Sequence, residues 1–447
     1  MMSLSEVASL LNAELQGGDA KISSTSINTR ELSPGQLFIA LKGEQFDGHD
    51  FLLSACEKQA AGVIISQPVQ LPIPTIVVPD TKTALGEIAA YHRKKFSLPI
   101  IAVTGSCGKT TTKSMIASIL NQMGPTLAPI KSFNNDIGVP LTLLQLTEQH
   151  QYAVIEMGAN HPHEIAYLSK LTEQDVAVIT NVAPAHLAGF GTIEGVAKAK
   201  EEIYESLSPQ GVAIINADDQ FADRFKKLMI NNTRLTFGIK NHADVIAKNI
   251  VLDEEGRANF EAHYPDGKLS ISLPCMGLHN VMNALAAIAA TSLVGATPHA
   301  IITGLNSMAE VSKRLVKYKG LSGSLIIDDS YNANPVAVVA ALEILAHSKG
   351  EKIFVFGDMG ELGHQEEKFH IEIGEHAKKL GVDQLYAYGK LSQLTANAFG
   401  ANGCYFNDQQ SLINALKPAL HSNAVVLIKG SRSSRMENIV QAIIQEI

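Results

Sequence analysis

Four consecutive apolar residues, Ile100-Ile101-Ala102-Val103, run directly into Thr104-Gly105-Ser106-Cys107-Gly108-Lys109-Thr110-Thr111. Beyond them Met115, Ile116, Ile119, Leu120 and Met123 recur at helical spacing. A buried strand, a glycine turn and an amphipathic helix, in that order, commit the chain to an α/β architecture with a phosphate loop at the strand's carboxyl end. The glycines let backbone amides close around phosphate oxygens, the helix start adds its positive end, and Lys109 supplies a mobile cation. The hydroxyl of Thr110 is suited to ligating magnesium. The loop is shorter than the common GxxxxGK[ST] pattern, because its first glycine precedes Gly108 by three residues rather than five. A purely structural turn is the alternative, but the Lys-Thr-Thr run in this context favours phosphate.

The surrounding pattern extends that unit into three domains. Residues 1–82 mix short strands and helices and form a small mixed α/β domain. Over 83–312 strands and helices alternate, with strands expected at 153–157, 176–180 and 212–216, as in a doubly wound, mostly parallel sheet. After a junction at Glu310, Val311, Ser312 and Lys313 the alternation restarts, and 313–447 reads as a Rossmann-like α/β domain.

A net charge of −8 supplies no general field for nucleic acid, so an anionic ligand must be held by local amides and cations. The four cysteines are scattered and form no CxxC pair, which argues against zinc and against a disulfide framework. Cys107 is either a redox handle or a small residue in a tight turn. With no leader pattern and no membrane-spanning apolar run, a cytoplasmic protein is expected.

Ligands of such sheets sit beyond the carboxyl ends of the strands. Glu156 ends an otherwise apolar strand, and is either a second magnesium contact beside Thr110 or a carboxylate satisfied by loop amides. In the helix predicted over 192–207, Ile193, Val196, Lys200, Ile203 and Leu207 follow three-four spacing, which puts Lys200 on the apolar stripe. Glu194, Lys198, Glu201, Glu202 and Glu205 are expected on the solvated side. An inward lysine is pushed toward its neutral amine, which can add carbon dioxide and become a carbamate ligand for magnesium; a lysine snorkelling at the stripe's edge is the alternative. His186, in a loop 14 residues before Lys200, is either structural or a metal or acid–base residue. Asn280 and Asn283 share a helix face, as simple caps or as an amide pair reading a purine edge. Thr29, Arg30, Asp47 and His49 are loop residues with or without a ligand.

The short phosphate loop, Glu156-Met157-Gly158-Ala159-Asn160-His161, Ala185-His186, Ala199-Lys200, the run 277–287 and the run 328–335 together resemble the Mur ligases of peptidoglycan synthesis. The runs 38–43 and 46–51, 134–142, 357–363 and 429–432 are similar to the branch of that family that joins D-alanyl-D-alanine to UDP-N-acetylmuramoyl-tripeptide. The resemblance implies ATP and two magnesium ions, an acyl phosphate and a tetrahedral intermediate. It implies that Gly105, Ser106, Cys107, Gly108, Lys109, Thr110 and Thr111 hold the phosphates. Thr110 and Glu156 would hold one ion, and His186 with carbamylated Lys200 the second; Lys109, His186 and Lys200 are the expected catalytic residues. Asn280 and Asn283 fall near adenine, and Arg314 and Asp329 at phosphate and ribose. Thr29, Arg30, Asn134 and Asn135 would face the UDP-sugar, and Asn332, Asn334 and Arg432 the dipeptide. Lys313 stands where the family is expected to carry glycine, Asn28 where aspartate is common, and Cys107 where serine or asparagine is usual. A monomer with no nucleic-acid partner and no membrane span is expected. The rival readings are a sister ligase, adding the third residue or glutamates to folate, and a nucleotide-gated switch without ligase activity.

Overall fold

The longest apolar runs become inner strands of three separate sheets, with helices packed over their faces. The computed structural model of the chain describes residues 2–43, 46–129, 133–309 and 311–445; Glu310, the first residue of the expected junction, lies outside them. The N-terminal sheet has five strands in the order Leu15–Gln16, Thr75–Val77, Gly62–Ile65, Leu37–Ile39 and Thr25–Ser26, all parallel except the first. Helix Thr81–Arg93 joins this unit to the next. Its Ala84, Leu85 and Ile88 belong to the N-terminal core and its Ala89 to the central one, so the boundary expected after residue 82 falls in the first turn of a shared helix.

In the nine-stranded central sheet, Ile100–Thr104 lies between Tyr152–Glu156 and Val176–Ile179 and runs parallel to both. All five residues of Ile100–Thr104 are buried, as a strand covered on two faces requires. One face packs Met115, Ile116, Val281 and Leu285, the other Ile165, Leu168, Val196 and Ile203. Each such side chain contributes about 1.5–3 kcal/mol on burial. The sheet continues through Val212–Asn216 and Thr233–Gly238 into Val245–Leu252, Arg257–Tyr264 and Gly267–Met276, of which the last three pair antiparallel. This extension departs from the expected strand–helix alternation. Its signal is period two: Ala258, Phe260, Ala262 and Tyr264 are buried while the residues between them are more open.

The C-terminal sheet has six strands. Val316–Lys319 pairs antiparallel with Leu325–Asp329, which is followed by Ala424–Lys429, Glu351–Gly357, Gln384–Tyr388 and Gly403–Phe406 in parallel. Lys313, at the junction, takes a left-handed backbone with φ of 59°, the conformation that glycine adopts freely. Its side chain pairs with Glu437 at 3.2 Å and its carbonyl accepts from the Tyr331 amide, so tertiary contacts hold the lysine in a glycine-like turn.

Helix Ile193–Glu205 is capped by Thr192, whose hydroxyl accepts from the Gly195 amide, and it buries Val196, Lys200 and Ile203 as the spacing predicts. Two residues expected on its solvated side are buried instead. Glu202 accepts from the backbone amides of His163 and Ala166 at the start of helix Glu164–Thr172, and Glu201 forms a bidentate pair with Arg224. Neighbouring helices flank both sides of the apolar stripe, and each carboxylate found a tertiary donor there. Glu194, Lys198 and Glu205 are exposed, as expected.

Replacing Glu202 strands two helix-start amides, so Glu202→Ala should destabilise the central domain by about 2 kcal/mol, whereas the exposed Glu205→Ala should stay within about 0.5 kcal/mol. Thermal melts and hydrogen exchange at the Ala166 amide check both. Unchanged exchange at that amide would show that the cap is not needed.

Candidate active site

The carboxyl ends of the central and C-terminal strands face a shared cavity of about 980 Å³. The phosphate loop forms its floor. Gly105 (φ 146°) and Gly108 (φ 80°) have backbones an L side chain rarely adopts, and a Cβ would strike the Thr180 hydroxyl at the first and the Asn283 carboxamide at the second. The loop is braced from the neighbouring strand end. The Cys107 amide donates to Asn181 Oδ1 at 2.9 Å, the Ser106 amide donates to the Asn181 carbonyl, and the Ser106 hydroxyl donates to the Ala183 carbonyl at 3.0 Å. Lys109 Nζ donates to the Gly105 carbonyl at 2.7 Å, folded back over its own loop. Thr111, the third residue of helix Lys109–Leu120, lines the cavity.

Beside the loop sits Glu156, only 1% exposed. Its Oε1 accepts from Thr110 Oγ1 at 3.2 Å and Asn134 Nδ2 at 2.9 Å, while its Oε2 has no hydrogen-bond partner among the described residues. Lys113 Nζ lies 3.8 Å from that oxygen and donates to the Pro129 carbonyl. A buried carboxylate oxygen left without a hydrogen-bond partner, next to a threonine hydroxyl, is a donor set that suits magnesium. Among the described residues no three His, Cys, Asp or Glu side chains form a ready metal cage.

Cations crowd this carboxylate. Arg314, from the C-terminal domain, donates to Thr110 Oγ1 at 3.2 Å and stacks over Tyr331 with 4.5 Å between guanidinium carbon and ring centre. Burial lowers the Lys109 and Lys113 ammonium pKa values; Arg314 lowers both further, and Glu156 opposes. Lys200, 1% exposed, makes no hydrogen bond among the described residues and lies 5.8 Å from the Phe190 ring centre. Burial first, and then the nearby charge of Lys109, depress it to about 7. The inward reading of this helix position therefore holds over the snorkelling one.

His186, half-buried, lines the cavity from the start of the short helix Leu187–Phe190. Its Nδ1 touches the carboxylate of Glu361, on the C-terminal loop after Glu351–Gly357, without an aligned hydrogen bond. Contact with His186 holds the Glu361 carboxyl below its usual range. Asn280 and Asn283 are committed to each other. Asn280 Nδ2 donates to the Met276 carbonyl, Asn283 Nδ2 to Asn280 Oδ1 at 2.9 Å, and Thr112 Oγ1 to Asn283 Oδ1. The pair lines the cavity while tying helix Leu278–Ser292 to the phosphate-loop helix.

Asp329 forms a buried ion pair with Lys429, whose Nζ also donates to the Asn332 carbonyl at 2.9 Å. Burial pushes the Asp329 carboxyl up against the opposing effect of Lys429. Asn334 caps helix Pro335–His347 through the Ala337 amide and meets the Cys107 sulfur at 3.1 Å. Arg432 pairs with Glu437 at 2.7 Å at the rim. Asn134 and Asn135 line the cavity, and Asn135 Oδ1 accepts from the Gly138 amide at 2.8 Å. Thr29 and Arg30 do not line it; they sit in the N-terminal loop after Thr25–Ser26, where the Arg30 amide donates to Asn28 Oδ1. His49 is bonded at both nitrogens, to Asp47 and to the Ser66 amide, and braces that domain.

Lys113 has no place in the sequence analysis, and His279, Lys429 and Glu361 enter it only as members of the runs 277–287, 429–432 and 357–363, with no role of their own. Lys113 follows Lys109 by one helical turn and Lys429 ends an apolar strand, patterns that could have been read as those of Lys200 and Glu156 were. Nothing local marks His279, whose pKa burial and Lys429 lower to about 4, or Glu361.

Comparison with known proteins follows this geometry along the whole chain. A model of the Mur ligase middle domain matches residues 103–291, one described as Mur ligase, glutamate ligase domain matches 313–432, and one described as Mur ligase family, catalytic domain matches 21–95. The chain is 42% identical to the UDP-N-acetylmuramoyl-tripeptide--D-alanyl-D-alanine ligase of Escherichia coli (strain K12), covering 99% of this chain and 98% of that one. Identity to the same-named ligase of Bacillus subtilis (strain 168) is 36%, covering 95% and 93%. Crystal structure I of MurF from Acinetobacter baumannii superposes with a TM-score of 0.91 at 36% identity and 97% coverage of both chains. MurF ligase from Thermotoga maritima in complex with ADP superposes with a TM-score of 0.82 at 30% identity, covering 94% and 96%.

The low Lys200 value has a stability consequence. Between about pH 7 and the ordinary lysine pKa near 10.4, the unfolded chain holds a proton that the folded chain lacks, so stability rises with pH across that window. Urea unfolding should show this slope, up to about 1.4 kcal/mol per pH unit, in the native chain and lose it in Lys200→Met. Equal slopes would mean that the ammonium is solvated.

Proposed function

The chain belongs to the Mur ligase family, and on that premise we propose how it works as the ATP-dependent ligase that joins D-alanyl-D-alanine to UDP-N-acetylmuramoyl-tripeptide. This is the last cytoplasmic step in making the UDP-MurNAc-pentapeptide used for peptidoglycan. The observation that carries the mechanism is the excess of cations over carboxylates at the phosphate loop. Arg314 opposes the charges of both Lys109 and Lys113, Glu156 is the carboxylate that acts on these two lysines, and Lys200 lies within electrostatic reach of Lys109. Such a site is built to bring a triphosphate and a carboxylate together.

The loop amides and Lys109, released from the Gly105 carbonyl, hold the β- and γ-phosphates while charge moves to the bridging oxygen. Thr110 and Glu156 would hold one magnesium ion, and His186 with carbamylated Lys200 would hold a second. When bound, magnesium offsets the repulsion between γ-phosphate and the tripeptide carboxylate. Lys200 reaches the carbamate because burial and Lys109 depress its pKa to about 7, so a substantial share of the amine is neutral near that pH: the nitrogen lone pair adds to carbon dioxide and one proton leaves to solvent. The tripeptide carboxylate oxygen attacks the γ-phosphorus, the bond to the bridging oxygen breaks and ADP leaves, and Arg314 and Lys109 steady the phosphate of the resulting acyl phosphate. The neutral dipeptide amine attacks the carbonyl carbon of that group, its nitrogen gives a proton to solvent, and the tetrahedral intermediate collapses to amide as the bond to phosphate breaks.

Asn280 and Asn283 set the floor near adenine, and Asp329, fixed by Lys429, faces the ribose. Asn134 and Asn135 adjoin the UDP-tripeptide, with Thr29 and Arg30 reserved for its uridine end; Asn332, Asn334 and Arg432 face the dipeptide. No helix among the described residues is long and apolar enough to cross a membrane, and a monomeric cytoplasmic enzyme is proposed.

Phosphate should appear only when the UDP-tripeptide and D-alanyl-D-alanine are both present, with mass spectrometry finding the pentapeptide product. ATP hydrolysis with neither would indicate a switch instead. Lys200→Ala should lower turnover at least a hundredfold, about 3 kcal/mol of barrier, and added bicarbonate should not restore it. Full activity in that variant would remove the carbamate from the mechanism.

A further inference from the structure

His186 and Glu361 meet across the boundary between the central and C-terminal domains, and nothing in the chemistry above uses Glu361. His186 Nδ1 is buried and, among the described residues, has no aligned hydrogen bond; the Glu361 carboxylate lies against it as the acceptor within reach. The imidazole as a whole remains 24% exposed and lines the cavity, so the open edge of the ring is the Nε2 side. The backbones are locked together as well. The Ala188 amide donates to the Glu361 carbonyl at 3.1 Å, and Gly363 packs against Leu187 and Ala188. Both residues take left-handed backbones, with φ of 53° at His186 and 64° at Glu361. Neither is glycine. Strain of this kind persists where surrounding contacts over-determine it, and it gathers at functional sites. Two such residues facing each other across a domain boundary are a matched pair.

We propose that Glu361 is a positioning residue: its carboxylate holds the proton of His186 on Nδ1 and so turns a bare Nε2 lone pair into the cavity to receive a divalent ion. An imidazole ligand is oriented in this way when its second nitrogen donates to a carboxylate. Because Glu361 belongs to the C-terminal domain, the ligand is complete only when that domain sits against Leu187–Phe190. Metal affinity and domain position are thereby coupled. The inference rests on the reading of His186 as a metal ligand.

The test uses the full-length protein labelled with ¹⁵N-histidine, at pH 8, where an ordinary histidine is neutral. Long-range proton–nitrogen correlation reads the tautomer, and His186→Gln identifies the signal by its loss. Wild type should show the Nδ1–H form, and Glu361→Ala a shift toward Nε2–H. Mn²⁺ affinity in the presence of ATP, followed by electron paramagnetic resonance, should weaken about ten- to a hundredfold in Glu361→Ala and recover in part in Glu361→Gln, whose amide oxygen still accepts. An unchanged tautomer, or Mn²⁺ affinity within about twofold of wild type, in Glu361→Ala overturns the proposal. If His186→Gln weakens Mn²⁺ binding while Glu361→Ala does not, the positioning role alone falls. If His186→Gln also leaves it unchanged, the ligand reading falls too.

Discussion

Lys109, Lys113 and Arg314 crowd one buried carboxylate, Glu156, and Lys200 lies close enough to Lys109 for their charges to oppose. In a part-buried setting each uncompensated pair costs on the order of a few kcal/mol. Depressed lysine pKa values lower that cost, most of all at Lys200, while the Glu156 oxygen left without a hydrogen bond adds a further one. On the proposed function, the arrangement is unfavourable in isolation and becomes favourable when the anionic phosphates arrive. Catalytic preorganisation of this kind needs a rigid frame.

Parallel strands supply the frame. Thr104, Glu156, Asn181 and Asn216 come from strand ends or the residues just beyond, and the Asn216 side chain donates to the Thr180 carbonyl, tying one edge to the next. The phosphate loop is therefore held by neighbouring strands rather than by its own turn alone. The C-terminal sheet presents its own carboxyl ends, Asp329 and Lys429, to the same cavity. Arg314, the Cys107–Asn334 contact and the His186–Glu361 contact link the two units.

What the sequence made legible was periodic or local. The strand, loop and helix around Gly105 and Gly108 follow from apolar runs and turn chemistry. The burial of Lys200 follows from three-four spacing. The same spacing misplaced Glu201 and Glu202, because their donors, Arg224 and the amides of His163 and Ala166, come from other helices that a helical wheel cannot contain. The antiparallel strands over 245–276 carry a period-two signal that strand–helix alternation obscured. Asn280 and Asn283 were legible as a pair, but their bonds to Met276 and Thr112 emerge only in three dimensions. Glu361 falls in the run 357–363, but its pairing with His186 has no sequence signal, since the partner lies 175 positions earlier in the chain.

Proton linkage tests the cation cluster most directly. A non-hydrolysable ATP analogue, titrated without divalent metal at pH 8 in carbonate-free buffers of differing ionisation enthalpy, reports the protons exchanged on binding. Anion binding should raise the depressed lysine pKa values, giving net proton uptake that falls in Lys200→Met. Zero uptake, or net release, would contradict a cluster held short of protons until its anion arrives.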